Sequence, residues 1–266
     1  MNIVRGRLTL GGLTAVLLLA SAACAGAGSE QSRPVMTRTD AGPFTALPAA
    51  EVAGRKNALA RFVHAVPGLA AVDLYANDGK AFAAAAYKSV SAYGELPSAS
   101  QSFRLRLAGQ ETAEPLTEKS ESFGTGRHHT IVALPARAAG LFAKEGGVEL
   151  RFVADEFSEP AAGRAKVRVI NASPDMDELD LYAAGRAEAL VKGAKYGSAT
   201  GYSEIEPAGG GLEVRRAGEN ITTLAVPNVK MEAGRLYTIF IVGGTKGASK
   251  LEAFVVEDQF GAPPAR

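Results

Sequence analysis

Val167–Tyr182 reads VRVINASPDMDELDLY, and Arg61–Tyr75 reads RFVHAVPGLAAVDLY. Each begins with an apolar run containing one basic residue. Each then turns at a proline, Pro174 or Pro67, and ends in hydrophobic-Asp-Leu-Tyr. Around the first run, Lys166-Val167-Arg168-Val169-Ile170 alternates polar and apolar side chains before turning fully apolar, the period of a β-strand rather than a helix. Two strands joined by a proline turn, written twice in one chain, set the reading of everything between them.

The repetition extends well beyond these stretches. Arg61–Pro67 matches Arg168–Pro174 at an offset of 107, as does Val72–Ala76 with Leu179–Ala183. Tyr87, Ser89 and Tyr93 match Tyr196, Ser198 and Tyr202 at an offset of 109. FRLRLAG (Phe103–Gly109) matches LEVRRAG (Leu212–Gly218). Gly126-Arg127, Thr130 and Ile131 match Gly234-Arg235, Thr238 and Ile239 at 108, and Phe157 matches Phe260 at 103. Ordered blocks with slightly drifting offsets are what insertions between fixed strands produce, so the folded part is a duplication.

Within each copy the period is two. LYTIFIV (Leu236–Val242) is rich in β-branched and aromatic residues and reads as a central strand. Turn residues recur at Asn77-Asp78-Gly79, Gly218-Glu219-Asn220 and Gly243-Gly244-Thr245. Ala81–Tyr87 (AFAAAAY) admits a helical turn, but its counterpart Ala187–Tyr196 contains Val191 and Gly193 and favours a strand or irregular connection. Parallel α/β folds are excluded, because the crossover helices they need are missing. The pattern predicts two tandem antiparallel β-sandwiches of seven or eight strands each, over 56–158 and 162–261. Glu159–Gly163 reads as a linker, so each copy is expected to fold alone.

The stretch VRVINASPDMDELDLY closely resembles the opening signature of the bacterial and archaeal domain of unknown function numbered 4397: strand, His-or-Asn, Ala, Ser, Pro turn, then Val-Asp-hydrophobic-Tyr. Arg61–Tyr75 is similar but carries Val66 where the family usually has Ser. Gly234–Thr238 matches the family's later Gly-Arg-x-Tyr-Thr block, and Gly126–Thr130 matches it less well. The resemblance implies a small immunoglobulin-like β domain of exported and surface proteins, often in tandem. It implies no catalytic residues.

Ahead of the repeats lies an address. Arg5 and Arg7 precede an apolar stretch, Leu8–Ala20, of signal-peptide length and too short to span a bilayer. Ser21-Ala22-Ala23-Cys24 then resembles the bacterial lipobox, with Ser21 where Leu is commoner. Cys24 is the only cysteine of the chain, which singles it out as the lipid attachment point after removal of residues 1–23. The alternative is ordinary signal-peptidase cleavage with Cys24 incidental. Residues 24–55 are small, polar and proline-punctuated, and read as a flexible tether. One cysteine excludes an intrachain disulfide and a multi-thiolate zinc site. Across 266 residues, 29 basic and 28 acidic side chains give a net charge of +1, which removes the general electrostatic case for nucleic-acid binding.

Candidate chemistry is sparse. The three histidines are not repeated: His64 aligns with Asn171, and His128-His129 with Leu236-Tyr237. They read as one turn histidine and two strand-edge histidines rather than a metal site. Asp175-Met176-Asp177-Glu178-Leu179-Asp180 has four carboxylates that could present oxygens to calcium, but it lacks the glycine and distant bidentate Glu of an EF-hand loop. Only Asp180 recurs, as Asp73. These two are expected to accept hydrogen bonds from turn amides, holding the Pro67 and Pro174 turns. Three tyrosine pairs recur: Tyr75 with Tyr182, Tyr87 with Tyr196, and Tyr93 with Tyr202. They are either core rings with rim-bonded hydroxyls or an aromatic platform for glycan or peptide. Gly201-Tyr202-Ser203-Glu204-Ile205 begins like a nucleophile elbow but lacks its second glycine and its helix.

These readings predict a non-catalytic protein without cofactor or metal, held in the bacterial cell envelope by its N-terminal lipid. It would face away from the cytoplasm, at the outer membrane or cell surface, and display two β-domains for recognition or scaffolding. Its partners would be an envelope protein or a glycan, not nucleic acid. The alternatives are an assembly lipoprotein of an envelope complex or, further off, a carbohydrate-active enzyme.

Overall fold

Alternating and fully apolar runs of β-formers leave the chain one economical solution, sheets stacked face to face. The computed structural model describes residues 56–137, 147–245 and 249–259. Cys24, the tether and Phe260 lie outside them. Repeat 1 forms β1 (Asn57–His64), β2 (Val72–Ala76), β3 (Gly79–Ala85), β4 (Gly94–Pro97), β5 (Ser100–Leu107), β6 (Thr117–Ser122), β7 (His128–Pro135) and β8 (Val148–Ala154). Repeat 2 forms β9 (Ala165–Asn171), β10 (Glu178–Ala183), β11 (Ala189–Lys195), β12 (Ser203–Ile205), β13 (Ala208–Arg216), β14 (Thr222–Met231), β15 (Leu236–Val242) and β16 (Glu252–Asp258). The ambiguous alanine stretch is strand β3, and its counterpart is β11.

Each repeat is a two-sheet sandwich with the same strand order. Repeat 1 pairs an outer sheet β3-β2-β5-β6 with an inner sheet β4-β1-β7-β8. Repeat 2 pairs β11-β10-β13-β14 with β12-β9-β15-β16. One feature departs from the antiparallel expectation. β1 with β7 and β9 with β15 run parallel, while the other pairs of named strands are antiparallel. The long excursion through the outer sheet, from β1 to β7, supplies the connection a parallel pair requires.

Phe62, Leu74, Phe103, Leu105 and Ile131 fill the sandwich of repeat 1, and Val167, Val169, Leu181, Val214 and Ile239 fill that of repeat 2. A third core lies between the repeats. The other face of the inner sheets carries Val63, Val132 and Leu134 from repeat 1 against Ile170, Phe240, Val242, Phe254 and Val256 from repeat 2. β9 and β15 are buried along their whole length. The expectation that each copy folds alone therefore meets a shared core, since one face of β1, β7, β9 and β15 packs against the other repeat. The connection is also pinned: the Ala161 N–H donates to Glu204 Oε1 at 3.1 Å, and Lys166 Nζ donates to Ser158 Oγ at 2.6 Å.

Candidate functional site

The chemistry of the molecule concentrates in the seam between the inner sheets. Arg61 on β1 and Arg168 on β9 point from their strands into it, and both are almost fully buried. The parallel register sets Arg61 beside Thr130 and Arg168 beside Thr238. Arg61 Nε donates to Thr130 Oγ1 at 2.9 Å, and Arg168 Nε donates to Thr238 Oγ1 at 2.8 Å. Each guanidinium then crosses to the other repeat. Arg61 Nη1 lies 2.7 Å from Asp258 Oδ1, and Arg168 Nη2 lies 2.6 Å from Asp155 Oδ1.

Both aspartates are saturated from their own repeat. Thr130 and Tyr93 donate to Asp155 Oδ2 at 2.8 and 2.7 Å. Thr238 and Tyr202 donate to Asp258 Oδ2 at 2.5 and 2.6 Å. Arg61 stacks over the Tyr93 ring at 5.1 Å and Arg168 over Tyr202 at 4.7 Å. The result is a reciprocal set of two Arg–Thr–Tyr–Asp clusters related by the duplication. Burial pushes the Asp155 carboxyl up, but Arg168 and Arg61 outweigh it and hold it below the ordinary carboxylate range. Burial first, and the neighbouring aspartates after it, push the Tyr93 and Tyr202 hydroxyls well above the phenolic range. The groups are therefore charged arginine, ionised Asp155 and neutral tyrosine. This arrangement ties the two inner sheets together across the seam.

Sequence reasoning matched Arg61 to Arg168, Tyr93 to Tyr202 and Thr130 to Thr238, but assigned no joint role and missed Asp155 and Asp258. The signal was present. These aspartates recur at the offset of 103 shared by Phe157 and Phe260, just two residues before them.

The other tyrosines go elsewhere. Tyr87 and Tyr196 flank the apolar part of the seam. Tyr196 donates its hydroxyl to the Pro135 carbonyl of the other repeat, and its ring lies 4.0 Å beneath Arg137. Tyr75 and Tyr182 belong to the outer sheets, under Lys80 at 5.5 Å and Arg215 at 4.0 Å. The six rings thus fall in three places and do not assemble one platform.

Asp73 and Asp180 accept backbone amides, but not those of the proline turns. Asp73 Oδ1 accepts the Ala84 N–H at 2.7 Å and Oδ2 the Gly109 N–H at 3.3 Å, with Lys80 Nζ at 3.0 Å. Asp180 Oδ1 accepts the Gly193 N–H at 2.8 Å. Ala84 and Gly193 are equivalent residues with φ of 48° and 72°, at irregularities where β3 and β11 pair with their neighbours. The carboxylates pin these bulges across the sheet, from one strand to its neighbour, and not back along the chain to the proline turns. Burial pushes the Asp73 carboxyl up, but the Ala84 amide, Lys80 and Gly109 together hold it below its usual range.

The proline turns are held by His64 and Asn171. His64 Nδ1 accepts the Val66 N–H at 3.2 Å while Nε2 faces the Ala70 carbonyl at 3.2 Å. Asn171 Oδ1 accepts the Ser173 N–H at 3.1 Å while Nδ2 donates to the Met176 carbonyl at 2.9 Å. One acceptor and one donor at matching reach explain why His and Asn exchange there. Asp175 accepts from Thr245, through N at 2.7 Å and Oγ1 at 2.9 Å, and Asp177 pairs with Arg137 at 2.8 Å. The acidic run is thus spread over separate partners.

Fold and seam define an all-β protein of two tandem β-sandwiches joined through a buried charged interface. The family described as Domain of unknown function (DUF4397) matches residues 58–182 and 165–266, overlapping on the opening signature of repeat 2. The chain belongs to that family. No curated protein matches it. Among solved structures, a candidate cell adhesion protein from Bacteroides fragilis aligns at 8% identity over 90% of this chain and 94% of that one, with a TM-score of 0.18. A likeness at that score carries no argument.

Proposed function

We propose that the protein is a non-catalytic, lipid-anchored component of the bacterial cell envelope that presents its two sandwiches, as one block, for recognition or scaffolding. The observation that carries this reading is the reciprocal Arg61–Asp258 and Arg168–Asp155 bridging of the seam. A display module gains from fixed geometry, and the buried guanidiniums and carboxylates here bridge one repeat to the other. Cys24, after Ala22-Ala23 and ahead of a tether ending near residue 55, supports the anchor. Intact mass of the membrane fraction is expected to show a diacylglyceryl addition on a chain starting at Cys24, and an unmodified soluble chain starting elsewhere would remove the anchor from the proposal. Crosslinking in the native envelope is expected to trap a discrete partner. Turnover of a saccharide substrate by the purified protein would replace the reading with an enzymatic one.

A further inference from the structure

The seam is symmetric in its charges but not at its two ends. At one end, Phe254 stacks on Phe240 at 4.8 Å, and Lys88 pairs with Glu252 at 2.5 Å. At the other, the equivalents of Phe254 and Phe240 are Arg151 and Val132, and the equivalent of Lys88 is Gly197. The equivalence is structural: Lys88 and Gly197 donate their N–H to the His64 and Asn171 carbonyls, each at 2.8 Å, and have φ of 65° and 68°. At this end, where the Arg151 side chain lies against Gly197, a cleft of about 360 Å³ runs between β8 and the 197–201 loop, with Arg168 also lining it. Val153 is half-exposed there, whereas its counterpart Val256 is buried.

One wall of the cleft is a strand edge. Asp155 N–H donates to the His128 carbonyl and Ala136 N–H to the Gly147 carbonyl, so odd-numbered residues of β8 bond to β7. Even-numbered ones aim their main-chain groups outward. Lys119 Nζ covers the Leu150 carbonyl at 3.3 Å. Phe152 and Ala154 have no strand beside them among the described residues, and both line the cleft. The opposite wall is small and polar, from Gly197 to Gly201, and its Thr200 and Gly197 amides are already used inward.

We propose that this cleft receives an extended peptide segment, which adds a strand to the free edge of β8 at Phe152–Ala154. An outward N–H and C=O pair every second residue is complementary to extended backbone. Saccharide stacking is less well served, since the Phe152 ring packs against Phe103 and Phe123 at 5.0 and 6.0 Å. Glu156 at the mouth favours a basic residue in the segment, and Val153 favours an apolar one. The proposal rests on the recognition reading and gives it a partner class.

The test uses the full chain, isotope-labelled, titrated with the capped peptide acetyl-Lys-Val-Thr-Val-Lys-amide. Saturating shifts are expected at the amides of residues 152–154 and 197–201, with slowed exchange at Phe152 and Ala154. N-methylation of alternate peptide amides should abolish binding in one phase and spare it in the other. Ala154→Pro removes only an outward N–H and should weaken binding about tenfold or more. Gly197→Lys should do the same by crowding the loop wall of the cleft, at a φ that Lys88 already tolerates and with the flexible Arg151 side chain, 3.0 Å from the new Cβ, giving way. The N-methylated peptides leave the protein untouched, so they decide the matter even if a variant folds poorly. Absence of saturable shifts at millimolar peptide, equal binding in both N-methyl phases, or binding that survives Ala154→Pro in a folded protein would overturn the proposal. A crosslinked partner that contacts another face would leave the recognition reading standing and this site refuted.

Discussion

Asp155 and Asp180 are both duplicated, mostly buried aspartates that accept hydrogen bonds from their own repeat, yet they sit in regions with different work. Asp155, with its counterpart Asp258, joins two repeats and faces a buried guanidinium. Asp180, with Asp73, joins two strands of one outer sheet through a bulge amide. The contrast teaches where the duplication was put to use. Outer-sheet pins serve each copy separately, whereas the seam clusters are complete only when both copies are present.

Asp155→Ala tests the seam most severely. It strands Arg168, together with the Tyr93 and Thr130 hydroxyls, in a buried site, and the expected cost is about 3–5 kcal/mol in urea unfolding. The double variant Asp155→Leu with Arg168→Met should cost less than Asp155→Ala alone, because no charge is left unpaired. A larger cost for the double would show that the seam depends on its ions for more than avoided desolvation. Asp155 also sets an acid limit. Its carboxyl is held below the unfolded value, so the unfolded chain takes up the proton first. The stability it contributes is present above about pH 4 and is lost as pH falls through the folded value.

Asp180→Ala comes next, at roughly 1–3 kcal/mol, with Asp180→Asn milder because the amide oxygen still accepts the Gly193 N–H. If Asp180→Ala matched Asp155→Ala, the distinction between the two regions would fail.

His64→Asn should alter stability little at pH 7, since Asn171 makes the equivalent bonds in repeat 2. Its signature is in pH. Burial lowers the His64 pKa despite the Ala70 and Leu69 carbonyls, and the unfolded chain therefore binds the proton more readily. Stability from a neutral His64 is full above about pH 6.5 and declines below it. Melts between pH 7 and 5 should fall less in His64→Asn than in the parent, with burial of His129 contributing a remaining slope. Smallest of all, Lys230→Ala breaks an exposed pair with Glu232 and should change stability by no more than about 0.5 kcal/mol.

Sequence alone carried the duplication, the strand period and most of the turn punctuation. These depend on local rules: alternation of side chains across a strand, and residues that suit a turn. It also singled out Asp73, Asp180 and the three tyrosine pairs, because function and packing alike preserve residues in register. What it could not show was direction. In β9, Lys166 and Arg168 alternate with valines as they would on a strand with one wet face, yet that polar face is buried against another sheet. LYTIFIV, mostly apolar apart from Thr238, is buried throughout because both of its faces are covered, one by its own sandwich and one by the other repeat. Whether an arginine meets water or an aspartate of the other repeat is a matter of how sheets stack. Only the tertiary structure brought Arg61 to Asp258 and Arg168 to Asp155, and left a cleft beside Gly197 at one end of the seam where Lys88 pairs with Glu252 at the other.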